Sequence, residues 1–80
     1  GSDSIIELVE TLPDQARCAL VVGHAPGTPG VLWELIDQTS AEPAAWSVVS
    51  QRFPPATLAV LKVDSWSDLA NARLIRAFAP

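Results

Sequence analysis

The one residue in this chain whose type and setting could do acid–base or anion chemistry is His24, in the segment Gly23-His24-Ala25-Pro26-Gly27. It is the chain's single histidine, and imidazoles titrate near pH ~6.5, so either protonation state is accessible around neutrality. Such a ring can donate a hydrogen bond to a phosphoryl oxygen. The same segment has the spacing of the Gly-x-Ser-x-Gly nucleophile elbow of hydrolases, but Ala25 occupies the nucleophile position and a methyl group cannot attack a carbonyl. No Gly-Lys-Ser or Gly-Lys-Thr follows the glycines and no Gly-x-Gly-x-x-Gly occurs, so both nucleotide-binding signatures are absent. The competing reading of His24 is a solvated turn residue beside a glycine.

The elements around His24 decide between these readings. Cys18 to Val22 is a short apolar run rich in branched side chains, with no polar residue on either face, which predicts a central strand covered on both sides. Thr28 followed by Pro29 signals the start of a helix that carries Val31, Leu32, Leu35 and Ile36 and ends near Gln38 or Thr39. Gly23, His24 and Ala25 would then lie beyond the carboxyl end of a strand. In open α/β sheets that crevice binds ligands, and the next helix aims free amides at an anion held there.

Upstream, Ser4-Ile5-Ile6-Glu7 fits a capping box and predicts a helix running to Thr11. Downstream, Pro54-Pro55 breaks the chain before a second apolar run, Thr57 to Val63, expected to be central as well. Asp64 to Asn71 reads as a turn and Leu74 to Ala79 as a last strand. Ala44 to Gln51 shows no assignable pattern. The expected order is α-β-α-β-β, with a right-handed parallel crossover and an antiparallel final pair. The predicted fold class is α/β, the C-terminal part of a mixed, mostly parallel sheet with helices on both faces. Two strands wanting double cover from two short helices imply that residues 1–80 form a partial domain, completed by an N-terminal half or another chain.

Composition bounds the partners. The 80 residues are 49% hydrophobic and 18% charged, against ~25% charged in ordinary domains, too apolar for disorder. Nine acidic residues against five basic ones give a net charge of −4. Scattered cations on an acidic chain argue against nucleic acid as a partner. Cys18 is the only cysteine, so neither an internal disulfide nor a zinc cluster is expected, and the chain reads as cytoplasmic. No apolar run approaches the ~20 residues that span a bilayer, so no membrane role is expected. Cys18 is expected to be an inert, buried strand residue, and Trp33 and Trp66 are expected to cover the core.

Leu20-Val21-Val22-Gly23-His24-Ala25-Pro26-Gly27, followed by Phe53-Pro54-Pro55-Ala56-Thr57-Leu58-Ala59-Val60-Leu61 and then Trp66, Leu69, Ala72, Leu74 and Phe78, resembles the C-terminal half of the phosphohistidine phosphatases, the SixA-like branch of the histidine phosphatase superfamily. The resemblance covers most of the chain from Cys18 onward. It implies a hydrolase with a phosphate pocket at the ends of central parallel strands and no cofactor or metal. It also implies a phosphorylated substrate, either a phosphoprotein or a small phosphate ester. Members use two histidines: one in an Arg-His motif attacks phosphorus, and one in the Gly-His-x-Pro segment binds the transferring phosphoryl group. His24 matches the second, with Gly23 and Ala25 beside it as phosphate-binding residues.

The chain departs from the pattern in two ways. No Arg-His pair occurs, so the nucleophile is absent, and Pro55 and Ala56 stand where the family often has Thr and Gly. Arg17, Arg52, Arg73 and Arg76 match no pocket motif and read as solvated surface, and neither Glu34 nor Glu42 is identifiable as a general acid. The expectation is therefore the C-terminal portion of a phosphatase that cannot complete the two-histidine reaction alone. The alternative is a non-catalytic binding or assembly module of the same fold.

Overall fold

Three helices and one two-stranded sheet make up the computed structural model, which describes residues 1–80: α1 (Ser2–Glu10), α2 (Gly27–Leu35), α3 (Pro43–Val49), β1 (Leu58–Lys62) and β2 (Arg73–Phe78). The order is ααα-ββ, and the sheet is a single antiparallel pair. This corrects the expected α-β-α-β-β order and the mixed, mostly parallel sheet with helices on both faces. The final antiparallel pair forms as expected; the parallel crossover does not.

The reason lies at Cys18 to Val22. It forms no strand, and Leu20 and Val22 are 76% and 83% exposed. Apolar side chains favour a buried strand, but a strand exists only where a neighbour completes its hydrogen-bond ladder. Within residues 1–80 the two other strands pair only with each other, and this run adds to neither of their free edges. Nor is β1 central, since it pairs on one side only.

The helices also begin and end elsewhere than their sequence signals indicate. Ser4 and Glu7 lie inside α1, which starts at Ser2 with Gly1 as its N-cap and no side-chain cap, so the capping box is not used. The second helix stops at Leu35 rather than Gln38 because Asp37 captures the chain in a turn. Its carboxylate accepts the Ser40 amide at 3.0 Å and the Thr39 hydroxyl, the local competition with helical backbone typical of aspartate. These bonds, the Thr39 hydroxyl foremost, hold the Asp37 carboxyl below its ordinary range. The unassigned stretch from Ala44 is α3, begun by Pro43 in the first helical turn, where its missing amide is harmless.

Seven residues are buried, and five of them form one cluster: Leu32 and Ile36 from α2 and its end, Ala45 and Val49 from α3, and Leu74 from β2. Ala59, Leu61 and Ala77 add the inner face of the hairpin to it. Trp33 and Trp46 meet edge to face across the α2–α3 seam, with ring centroids 6.3 Å apart and planes at 83°. Meanwhile α1 lies against α2, where Gly30 lets the helices approach: a Cβ there would stand 3.2 Å from that of Ser2.

Pro54 to Thr57 makes the turn into β1. The Thr57 amide donates to the Pro54 carbonyl at 3.2 Å and Ala56 takes φ +68°, the left-handed geometry that a type II turn requires at this position. An alanine is strained there and a glycine is not. Ala56→Gly is expected to raise unfolding free energy by about 1 kcal/mol, after allowing for glycine's greater freedom in the unfolded chain. Urea denaturation checks this, and a lowered midpoint would contradict it.

Candidate functional site

The apolar run leads into a turn at Ala25 and Pro26, and α2 begins at Gly27. The loop is folded tightly back on the helix start, since a Cβ on Gly23 would sit 2.8 Å from the Thr28 methyl. A glycine is therefore required by close approach at that position. The run itself is anchored further back, where the Trp66 indole donates to the Ala16 carbonyl at 2.7 Å.

Gly23, His24 and Ala25 are all exposed, and the histidine ring stands at the surface rather than in a crevice between strands. Its Nδ1 lies 3.1 Å from the Ala25 carbonyl oxygen. A carbonyl only accepts, so Nδ1 carries the proton in that contact, and the neutral ring presents Nε2 as a lone pair. To donate from Nε2 to an anion the ring must hold both protons. The arrangement thus supplies one oriented nitrogen that can accept a proton or, as imidazolium, bind an oxyanion.

The helix start contributes less than a helix N-terminus ordinarily does. The Thr28 amide donates to the His24 carbonyl at 3.3 Å, the Gly30 amide donates to the Pro26 carbonyl at 3.0 Å, and Pro29 has no amide. Of the first four helical positions only Gly27 is left to face an anion. This corrects the expected row of free amides; the proline and the tight turn that mark the helix start also consume its donors.

Cys18 is free and exposed, against the expected burial. It should be alkylated by a maleimide in the native chain as fast as in urea, and strong protection would show that the run from Cys18 is covered in solution. The surface reading of the arginines holds for Arg17, Arg52, Arg73 and Arg76, all exposed. No group of three His, Cys, Asp or Glu side chains is arranged to hold a metal ion. No helix is long and apolar enough to cross a membrane.

Sequence reasoning missed one grouping. Lys62 and Arg73 are directly opposed across the hairpin, and Arg76 is opposite Val60, which places three cations on one face. The alternation of Leu58, Val60 and Lys62 is legible in the sequence. The matching face of β2 is not, because Ile75 is an extra residue that shifts the register between the partners of Val60 and Leu61.

No protein-family model matches the chain, and no solved structure matches it. Two uncharacterized proteins, from two strains of Mycobacterium tuberculosis, are each 31% identical to it over 67 residues, 82% of this chain. The chain spans 42% of the length of these relatives.

Proposed function

We propose that residues 1–80 are the C-terminal portion of a cytoplasmic phosphatase of the histidine phosphatase superfamily, in which His24 binds the transferring phosphoryl group. The observation that carries this reading is the His24 ring at the mouth of the Gly23–Gly27 loop, its Nδ1 engaged by the Ala25 carbonyl at 3.1 Å and its Nε2 free toward solvent. Two further features support it. The apolar run from Cys18 to Val22 is uncovered, as a strand lacking its neighbour would be, and more than half of each relative's length lies outside the matched region.

In this reading a second histidine, from outside residues 1–80, attacks phosphorus. Its ring nitrogen forms a bond to phosphorus as the bond to the leaving group breaks, and water then cleaves the phosphorus–nitrogen bond to release inorganic phosphate. The doubly protonated His24 donates from Nε2 to a non-bridging phosphoryl oxygen through both steps, opposing charge where it is concentrated. Gly23 and Ala25 shape the backbone beside that oxygen. The phosphorylated substrate is a phosphoprotein or a small ester, and a strand from the remaining half of the protein or from another chain covers Cys18 to Val22. The exposure of that run equally favours a second reading, an assembly module that uses the strand without catalysis.

Titration of the intact protein with tungstate, followed through the His24 imidazole signals in NMR, separates the two. Saturable shifts of those signals are expected for the phosphatase; dimerisation with no response to tungstate would replace it with the assembly module. The intact sequence should also carry an Arg-His pair at the end of an apolar strand upstream of Ser4.

A further inference from the structure

The outer face of the β1–β2 hairpin has a composition unlike the rest of this acidic chain. Ala59, Leu61, Leu74 and Ala77 point into the core, so the cross-strand partners of the other face are Leu58 with Phe78, Val60 with Arg76, and Lys62 with Arg73. One end of this face is apolar, with Leu58 44% and Phe78 50% exposed, and the other end is cationic. Three of the chain's five basic residues gather there, although its net charge is −4. Like charges directly opposed across a ladder are destabilising; Asp64 lies beside Lys62 and Arg73, and Glu42 beside Arg73 and Arg76, so two carboxylates border three cations. The side-chain hydrogen bonds of the carboxylates lie elsewhere, at Glu34, Asp37 and Asp68.

We propose that this face docks an acidic segment of a partner protein, with carboxylates over Lys62, Arg73 and Arg76 and an aliphatic side chain against Leu58 and Phe78. The charge complementarity is direct: none of the three cations is hydrogen-bonded by a carboxylate of the chain, and with only Asp64 and Glu42 at its border the cluster keeps an excess of positive charge that a row of carboxylates satisfies. The face is two strands wide and five or six residues long, enough for a short segment. A nucleic acid fits it less well, because three cations neutralise few phosphates and the acidic remainder of the chain repels a polyanion. The inference does not depend on the role of His24.

The test uses the full chain, isotope-labelled, and a short synthetic peptide with leucines at one end and glutamates at the other. Amide shifts confined to Leu58–Lys62 and Arg73–Phe78 are expected, with affinity falling as salt rises. The double charge reversal R73E/R76E should weaken binding by about tenfold or more. Lys62→Glu should weaken it too while leaving the thermal midpoint unchanged or higher, since it turns a like-charge pair into an opposite one; that result separates lost docking from lost folding. Absence of shifts, shifts elsewhere on the chain, or unaltered binding by both variants would overturn the proposal. So would tighter binding of single-stranded RNA or of anionic vesicles to the same residues.

Discussion

Replacing His24 by alanine in the intact protein is expected to lower phosphatase turnover by about 10²–10³-fold, the loss typical of one preorganised donor at a developing charge. The loss should fall mainly on kcat, because a hydrogen bond to the phosphoryl oxygens strengthens as the group transfers and contributes less to the ground state. Folding should be unaffected, since the residue is exposed and its side-chain hydrogen bond is only to the adjacent carbonyl of Ala25. Steady-state kinetics on a phosphohistidine peptide, beside a thermal melt, make the measurement. Turnover equal to that of the unaltered protein would end the assignment of His24 to the site.

Leu74→Ala should destabilise the chain by about 2–5 kcal/mol, the range for truncating a fully buried leucine. Leu74 has no exposed surface and sits where α2, α3 and β2 converge. Its carbonyl also accepts the Glu42 amide at 3.0 Å, tying the entry to α3 to the strand. Domains of this size have roughly 4–12 kcal/mol in total at ~0.05–0.15 kcal/mol per residue, so the variant should be mostly unfolded or lose on the order of 10 °C or more in Tm. With only seven residues buried, no second cluster can take over. Chemical denaturation decides it: a loss under about 1 kcal/mol would mean that Leu74 is not the centre of the core.

The parts of this fold that could be read from sequence are those set by local chemistry. Pro54-Pro55 announces the turn that launches β1, and the short connection after Asp64 specifies antiparallel pairing with β2. The helix carrying Leu32 and Leu35 follows from its spacing and from Thr28-Pro29. What failed depended on partners that sequence does not display. The five apolar residues from Cys18 carry the side chains of a central strand, but a ladder is a property of two segments. In α3, Ala45 and Val49 are four apart and buried, yet a seven-residue helix shows too few turns for a periodicity to emerge. At the site, the loop and its helix were legible, whereas the capture of the Thr28 and Gly30 amides by His24 and Pro26 depended on how tightly the turn closes.

The perpendicular meeting of Trp33 and Trp46 gives the molecule an optical signature of its own. Two indoles 6.3 Å apart at 83° couple their ultraviolet transitions, so circular dichroism should carry a paired band that vanishes when either ring is replaced by phenylalanine. Because one ring belongs to α2 and the other to α3, that band reports the seam between the two helices without any attached dye. It offers a direct view of whether an event at the His24 loop, which opens α2, is felt as far as the helix that covers the sheet.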